Sequence, residues 1–188
     1  NNTAVGYHSL TANTGSDNVA VGSQAMNSNI GGNYNTAVGQ LSLTDNTSGQ
    51  LLTAVGYSAL ANNTTAVSNT AVGYLCLLTN TTGTQNTAIG TNSLTANTTA
   101  NDNVAVGFNA LVANTTGAEN TAVGGYNTLG ANTTGSFNVA LGRLAGASAT
   151  TGDRNIFIGL QAGNSSGTHT GNDNVVIGAR SSWGNVNP

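Results

Sequence analysis

Hydrophobic and polar positions recur along this chain with one period. Aligned on a glycine, the repeats fall at Gly6, Gly22, Gly39, Gly56, Gly73, Gly90, Gly107, Gly124, Gly142, Gly159 and Gly178, with steps of 16, six of 17, then 18, 17 and 19. Before each glycine stands a short alternating run, as in Asn35-Thr36-Ala37-Val38-Gly39. Branched, small, branched is strand alternation, so each repeat is expected to carry a short β-strand. A second apolar column follows four residues after the glycine (Leu10, Met26, Leu43, Leu60, Leu77, Leu94, Leu111 and, displaced by one, Leu129). It predicts a second short strand in each repeat.

Seven residues after the glycine comes an asparagine (Asn13, Asn29, Asn46, Asn63, Asn80, Asn97, Asn114, with Asn132 one step displaced), commonly followed by Thr and closed by Gly. Asparagine bonds its own nearby backbone and glycine supplies unusual backbone angles, so this is turn chemistry. Gly and Asn recur too often for helix, and no 3.6-residue apolar period survives. Strand, turn, strand and turn in 17 residues bring the chain back one level higher. The expectation is all-β: a parallel β-roll or β-solenoid of about eleven 17-residue rungs and roughly 50 Å length. Residues 1–145 read as regular rungs and residues 146–188 as variant C-terminal rungs of the same solenoid.

Within that rung the branched residue before each glycine is assigned to the core: Val5, Val21, Val38, Val55, Val72, Ile89, Val106, Val123, Leu141, Ile158 and Ile177. Strand Thr residues alternate with Val19, Val104, Val139, Ile156 and Val175, which marks the same inward face. The Ala column (Ala4, Ala20, Ala37 and equivalents) then points the other way and is assigned to close contact at an oligomer axis. Asn18, Asn35, Asn69, Asn86, Asn103 and Asn120, four residues before the glycine, are read as a stacked turn ladder; Leu52 breaks this column. A single chain offers few large apolar side chains per rung against the entropy of ordering it, which favours association.

These residues resemble the head repeats of trimeric autotransporter adhesins, a haemagglutinin-type β-roll whose rungs read Asn-Ser-Val-Ala-Ile-Gly. The match is carried by Asn18-Val19-Ala20-Val21-Gly22 and Asn174-Val175-Val176-Ile177-Gly178. The run Asn155-Ile156-Phe157-Ile158-Gly159-Leu160-Gln161-Ala162-Gly163 is similar to repeats of phage and bacterial tail-fibre proteins. The resemblance covers nearly the whole chain and implies a homotrimeric, surface-exposed fibre. The family's commonest rung is shorter, which leaves the handedness of the coil open.

Charge narrows the function classes. Three Lys or Arg and six Asp or Glu give a net charge of −3 and only 5% charged residues. Arg143, Arg154 and Arg180 make no cationic stripe, so nucleic-acid binding is disfavoured. No apolar run reaches the ~20 residues of a membrane span, and no leader segment is visible. The lone Cys76 occupies a small-residue column with Ser42, Ala59 and Ser93 and is read as a packing residue.

An enzyme needs convergent acid, base or nucleophile groups. His8 and His169 lie at opposite ends, with Asp153 and Asp173 the rung neighbours of His169. Asp17, Asp102, Glu119 and Asp173 precede the ladder Asn at one carboxylate per rung, which is thin for calcium. Neither enzyme activity, a cofactor nor a metal site is expected. Sequons at Asn46, Asn80, Asn97, Asn114 and Asn132 coincide with the turn column, so turn chemistry is credited first.

Tyr7, Tyr57, Tyr74, Phe108 and Tyr126 form a partial aromatic column beside the glycine and are possible glycan contacts. The leading function is an adhesive or structural segment of an extracellular fibre, on a cell surface or virion, with a host glycan or protein as receptor. The alternative is an ice-binding solenoid presenting Thr and Asn arrays, which requires the strand Thr to lie exposed in one flat row. Specific recognition is expected where the pattern loosens, from Arg143 to Trp183, or beyond the chain's ends.

Overall fold

The computed structural model describes residues 1–164 and 167–182. Among the described residues there are eleven strands and no helix: β1 Thr3–Val5, β2 Val19–Val21, β3 Thr36–Val38, β4 Thr53–Val55, β5 Thr70–Val72, β6 Thr87–Ile89, β7 Val104–Phe108, β8 Thr121–Tyr126, β9 Val139–Leu141, β10 Ile156–Ile158 and β11 Val175–Ile177. They form one parallel sheet in sequence order, each strand paired with the equivalent residues of the next, as in Ala37↔Ala54↔Ala71↔Ala88. The fold is a β-solenoid of 17-residue turns. Trp183 and the rest of 183–188 lie outside the described residues.

The second strand is not formed. After each glycine the chain turns repeatedly, with left-handed backbone at the second and fourth residues, as at Leu75 (φ 52) and Leu77 (φ 54). Extended pairing is impossible where the chain reverses every second residue. The leucine column instead sits at a corner and points inward, completely buried from Met26 to Leu129. Left-handed backbone costs an ordinary residue roughly 1–2 kcal/mol. Inter-rung hydrogen bonds offset it: Leu60 N–H donates to the Cys76 carbonyl at 3.0 Å and Leu77 N–H to that of Ser93 at 3.0 Å.

The assignment of faces is also corrected. From Ala20 to Ala140 the Ala column is 0% exposed and lies inside the chain's own lumen, so it cannot line an oligomer axis. The residues expected in the core, Val5, Val21, Val38, Val55, Val72, Ile89, Val106, Val123, Leu141, Ile158 and Ile177, are exposed or half-exposed on the outer face of the sheet. The strand Thr residues share that outer face. Alternation is real, but the lumen is already occupied by Leu, two Asn columns and a small-residue column, and only a methyl group fits opposite them.

Two carboxamide ladders close the turns. In the inner one, Asn46 Nδ2 donates to Asn29 Oδ1 at 2.6 Å and to the Gly49 carbonyl at 3.1 Å; Asn63, Asn80, Asn97, Asn114 and Asn132 repeat the pattern. In the outer one, Asn18, Asn35, Asn69, Asn86, Asn103 and Asn120 use Oδ1 to accept the backbone N–H one rung on, as from Asn86 to Asn69 at 2.8 Å, wherever the ladder is unbroken. The amide N–H₂ groups of this second ladder reach turn carbonyls. Leu52 receives the Asn35 bond at its own N–H but has no amide to pass on to Asn69.

The repeated glycine is fixed twice over. At Gly56 φ is +137°, and a Cβ would stand 2.3 Å from the Gly73 carbonyl oxygen. Near the C-terminal end the core exchanges volumes between columns. Phe157 takes the place of the usual Ala, completely buried, while Gly146 and Gly163 take the places of the corner Leu in the two adjoining rungs. A Cβ on Gly146 would meet Phe157 Cδ2 at 2.6 Å and one on Gly163 would meet Phe157 Cδ1 at 2.4 Å.

Two substitutions test this account. Asn97→Ala leaves the buried Asn80 Oδ1 without its donor, takes the Asn97 acceptor from Asn114 Nδ2 and removes one of the two amides that donate to the Ala100 carbonyl, and should cost about 2–3 kcal/mol; Asn62→Ala, at an exposed turn position, should stay within about 0.5 kcal/mol. Urea midpoints of the two variants give the comparison. Phe157→Ala should lose about 3–5 kcal/mol through cavity formation, and Gly146→Leu alone should also destabilise. Combined, they restore the usual Ala and one of the two corner leucines and should recover part of the loss in thermal melts.

Candidate functional site

No described residues gather as a metal-binding cluster. Among them there is no group of three or more His, Cys, Asp or Glu side chains placed to hold an ion. His8 packs edge-on against Tyr7, ring centroids 4.1 Å apart, with Thr11 Oγ1 at 3.4 Å from its Nδ1. At the other end, Asp173 is engaged by Arg154 through Nε at 2.6 Å and Nη2 at 2.9 Å. That bidentate bond holds the Asp173 carboxyl below the usual carboxylate range and raises the Arg154 guanidinium. Asp153 accepts the Ser136 backbone N–H at 2.8 Å. Asp17, Asp102, Glu119 and Asp173 all stand in left-handed backbone at exposed turns, one per rung.

The sequon asparagines Asn46, Asn80, Asn97, Asn114 and Asn132 are 0% exposed, and each Nδ2 donates within the inner ladder. In the folded chain no glycan can be attached there. The turn threonines are likewise spent internally: Thr47, Thr64, Thr81, Thr98, Thr115 and Thr133 donate their hydroxyls to backbone carbonyls of the next rung.

What the chain presents outward is the sheet face and its aromatic border. The face carries two columns along eleven strands, Thr, Val or Ile in one and Val, Ile or Leu in the other, with no charged residue in either. Val38 is 37% exposed, Ile89 40%, Val123 38% and Leu141 38%, high values for branched side chains within a paired sheet. Thr36, Thr53, Thr70 and Thr87 run consecutively beside them in register. Sequence reasoning found these columns but turned them inward; the missing signal was the filling of the lumen, which no single column reveals.

The aromatic column borders this face. Tyr57 and Tyr74 stack with centroids 5.5 Å apart and planes 16° from parallel, and Phe108 and Tyr126 do the same at 5.5 Å and 18°. Arg143 continues the second stack, its guanidinium carbon 5.4 Å from the Tyr126 ring centre. Rings one rung apart on a parallel ladder are held at stacking distance by the sheet itself. Tyr7, 70% exposed, packs on His8 and not on another ring of the column.

No protein-family model matches the chain, and no curated protein or solved structure is significantly similar to it. Among the described residues no helix is long and apolar enough to cross a membrane.

Cys76 is buried, its Sγ 2.9 Å from Ser93 Oγ, and burial pushes its thiol up to about 11. Because the folded state keeps the proton that the unfolded chain releases near pH 9, this group's stabilisation is complete below that pH and is lost as pH rises toward 11. The native thiol should therefore resist disulfide reagents at pH 8 and react only on unfolding. Cys76→Ala, the residue found in equivalent rungs, should flatten the decline in melting temperature between pH 9 and 11.

Proposed function

We propose that this chain is a rigid, non-catalytic segment of an extracellular homotrimeric fibre, presented on a cell surface or virion and serving attachment. The observation that carries the reading is the uncharged outer sheet face, which runs the length of the described rod with its Val, Ile and Leu side chains unpartnered. Exposed apolar surface of this continuity marks an interaction site. Its linear form suits a seam along an axis: rods of equal pitch can lie side by side with every rung in the same environment. The strip is only two columns wide, so three strips meeting at one axis cover it better than a flat pair would. The resemblance to adhesin head repeats and tail-fibre repeats supports the same arrangement.

This assigns the trimer contact to the Val column, not to Ala. The receptor-facing groups are then the turns and the aromatic border, the latter offering flat apolar rings to a glycan or protein partner. The low charge and the lack of a cationic stripe fit neither nucleic acid nor an anionic membrane surface.

A second reading is favoured by one specific observation. The strand threonines lie outward, and no hydroxyl of Thr36, Thr53, Thr70 or Thr87 is used in the rung-to-rung bonds that occupy the turn threonines. A flat, regular Thr and Val array is the surface an ice-binding solenoid requires. The array is interrupted by Val19, Val104, Val139, Ile156 and Val175, which weakens it as a lattice match.

The two readings diverge in solution. Light scattering should give three times the 18.6 kDa chain mass, and Val72→Glu should yield monomers with unchanged β-type circular dichroism. A monomeric wild-type chain would sink the trimer; thermal hysteresis that disappears in Thr70→Lys would then establish the ice-binding alternative.

A further inference from the structure

The aromatic column has a vacancy one ring wide. Its members occupy the position following the strand glycine, reading Tyr57, Tyr74, Thr91, Phe108 and Tyr126 in five consecutive rungs, with Tyr126 one step displaced. The neighbouring pairs Tyr57–Tyr74 and Phe108–Tyr126 stack at 5.5 Å. Thr91 interrupts them. With parallel strands about 4.8 Å apart, Tyr74 and Phe108 stand roughly 10 Å apart along the rod, twice the rung spacing. A ring lying over Thr91 would meet both neighbours at the same separation that the existing pairs already show.

The rung-to-rung bonds hold this gap in register. Asn92 N–H donates to the Tyr74 carbonyl at 2.9 Å and Asn109 N–H to the Thr91 carbonyl at 3.0 Å. The gap is therefore walled by Tyr74 and Phe108, 51% and 41% exposed, and floored by the half-buried Thr91, with the half-buried Asn92 next along the chain. Across these rungs the two columns read Tyr74-Leu75, Thr91-Asn92, Phe108-Asn109 and Tyr126-Asn127, without a charged residue.

We propose that this gap seats one neutral pyranose ring of a saccharide. Both faces of a pyranose can present C–H groups to aromatic walls, while its rim of hydroxyls needs donors and acceptors such as the Thr91 hydroxyl and the Asn92 amide. A purely aromatic group would satisfy the walls and leave the polar groups unmatched. The lack of charge in the two columns across these four rungs selects a neutral sugar over an acidic one. By contrast, the interval between Tyr7 and Tyr57 spans Ser23 and Gln40, two rungs, and is too wide for one ring to touch both walls. The proposal rests on the adhesive reading for its biological use, but its geometry belongs to a single chain and does not depend on the trimer.

The test is a titration followed by NMR, with methyl glucopyranoside, methyl galactopyranoside and methyl mannopyranoside as probes and phenol as the aromatic control. At least one hexoside should shift the ring resonances of Tyr74 and Phe108 saturably in the millimolar range. Thr91→Tyr, which fills the gap with the side chain used in neighbouring rungs, should weaken binding at least tenfold while melting at or above the wild type. Phe108→Ser, which removes a wall, should weaken it likewise and covers the case in which the first variant does not fold. Overturning results are no hexoside response at tens of millimolar, a response to phenol alone, or a hexoside response unchanged in a folded variant. Light scattering on the same samples keeps the trimer question separate, since either oligomeric state is compatible with either titration result.

Discussion

The structure depends on the carboxamide side chain and its capacity to donate and accept at once. A rung of 17 residues with a three-residue strand has most of its backbone in turns, and those turns face a lumen closed to water. Buried backbone groups must find partners there. Asparagine supplies them from inside: one ladder bonds amide to amide and amide to turn carbonyl, the other passes its oxygen to the backbone N–H of the next rung. The bonds run along the axis, so each rung is the partner its neighbours require, and the solenoid is stable as a stack and not as a unit.

This constraint explains the composition. Two buried Asn and a corner Leu leave little room in the lumen, and the remaining columns hold Ala, Ser, Cys, Gly and Thr128, with Phe157 and Val176 the larger exceptions in the Ala column. Phe157 shows how strict the limit is: one larger side chain is accommodated only where two corner leucines have been reduced to glycine. Cys76 is a further instance of a small-column residue, and its chemistry follows from burial, not from a site. The same filling explains why branched side chains are displaced to the outside, where they form a continuous exposed apolar strip.

Function follows from what the turns and the sheet leave over. The sequon asparagines and turn threonines, which look available in one dimension, are consumed by the ladders. The sheet face and the aromatic border are not. Their repetition at rung spacing gives the rod periodic surfaces, and a break in the period, as at Thr91, becomes a candidate recognition element.

The parallel architecture, the rung count and the turn columns were legible because a fixed period forces equivalent residues to stack, whatever the details of each rung. Asn18, Asn35, Asn69, Asn86, Asn103 and Asn120 could be read as a ladder because only a side chain with both donor and acceptor gains from being repeated in a buried column. The inward face could not be read. Thr-Ala-Val alternation separates two faces but does not say which is enclosed, and hydrophobicity points to Val. The backbone of the leucine segment was equally hidden, since left-handed residues there are mostly Leu, Asn, Gln, Ser and Met, with glycine only at Gly146 and Gly163. Sequence by itself determined that rungs stack in register and where they turn; only the tertiary structure decided that Ala is inside and Val outside, because that depends on the volume left in the lumen once every column has been placed.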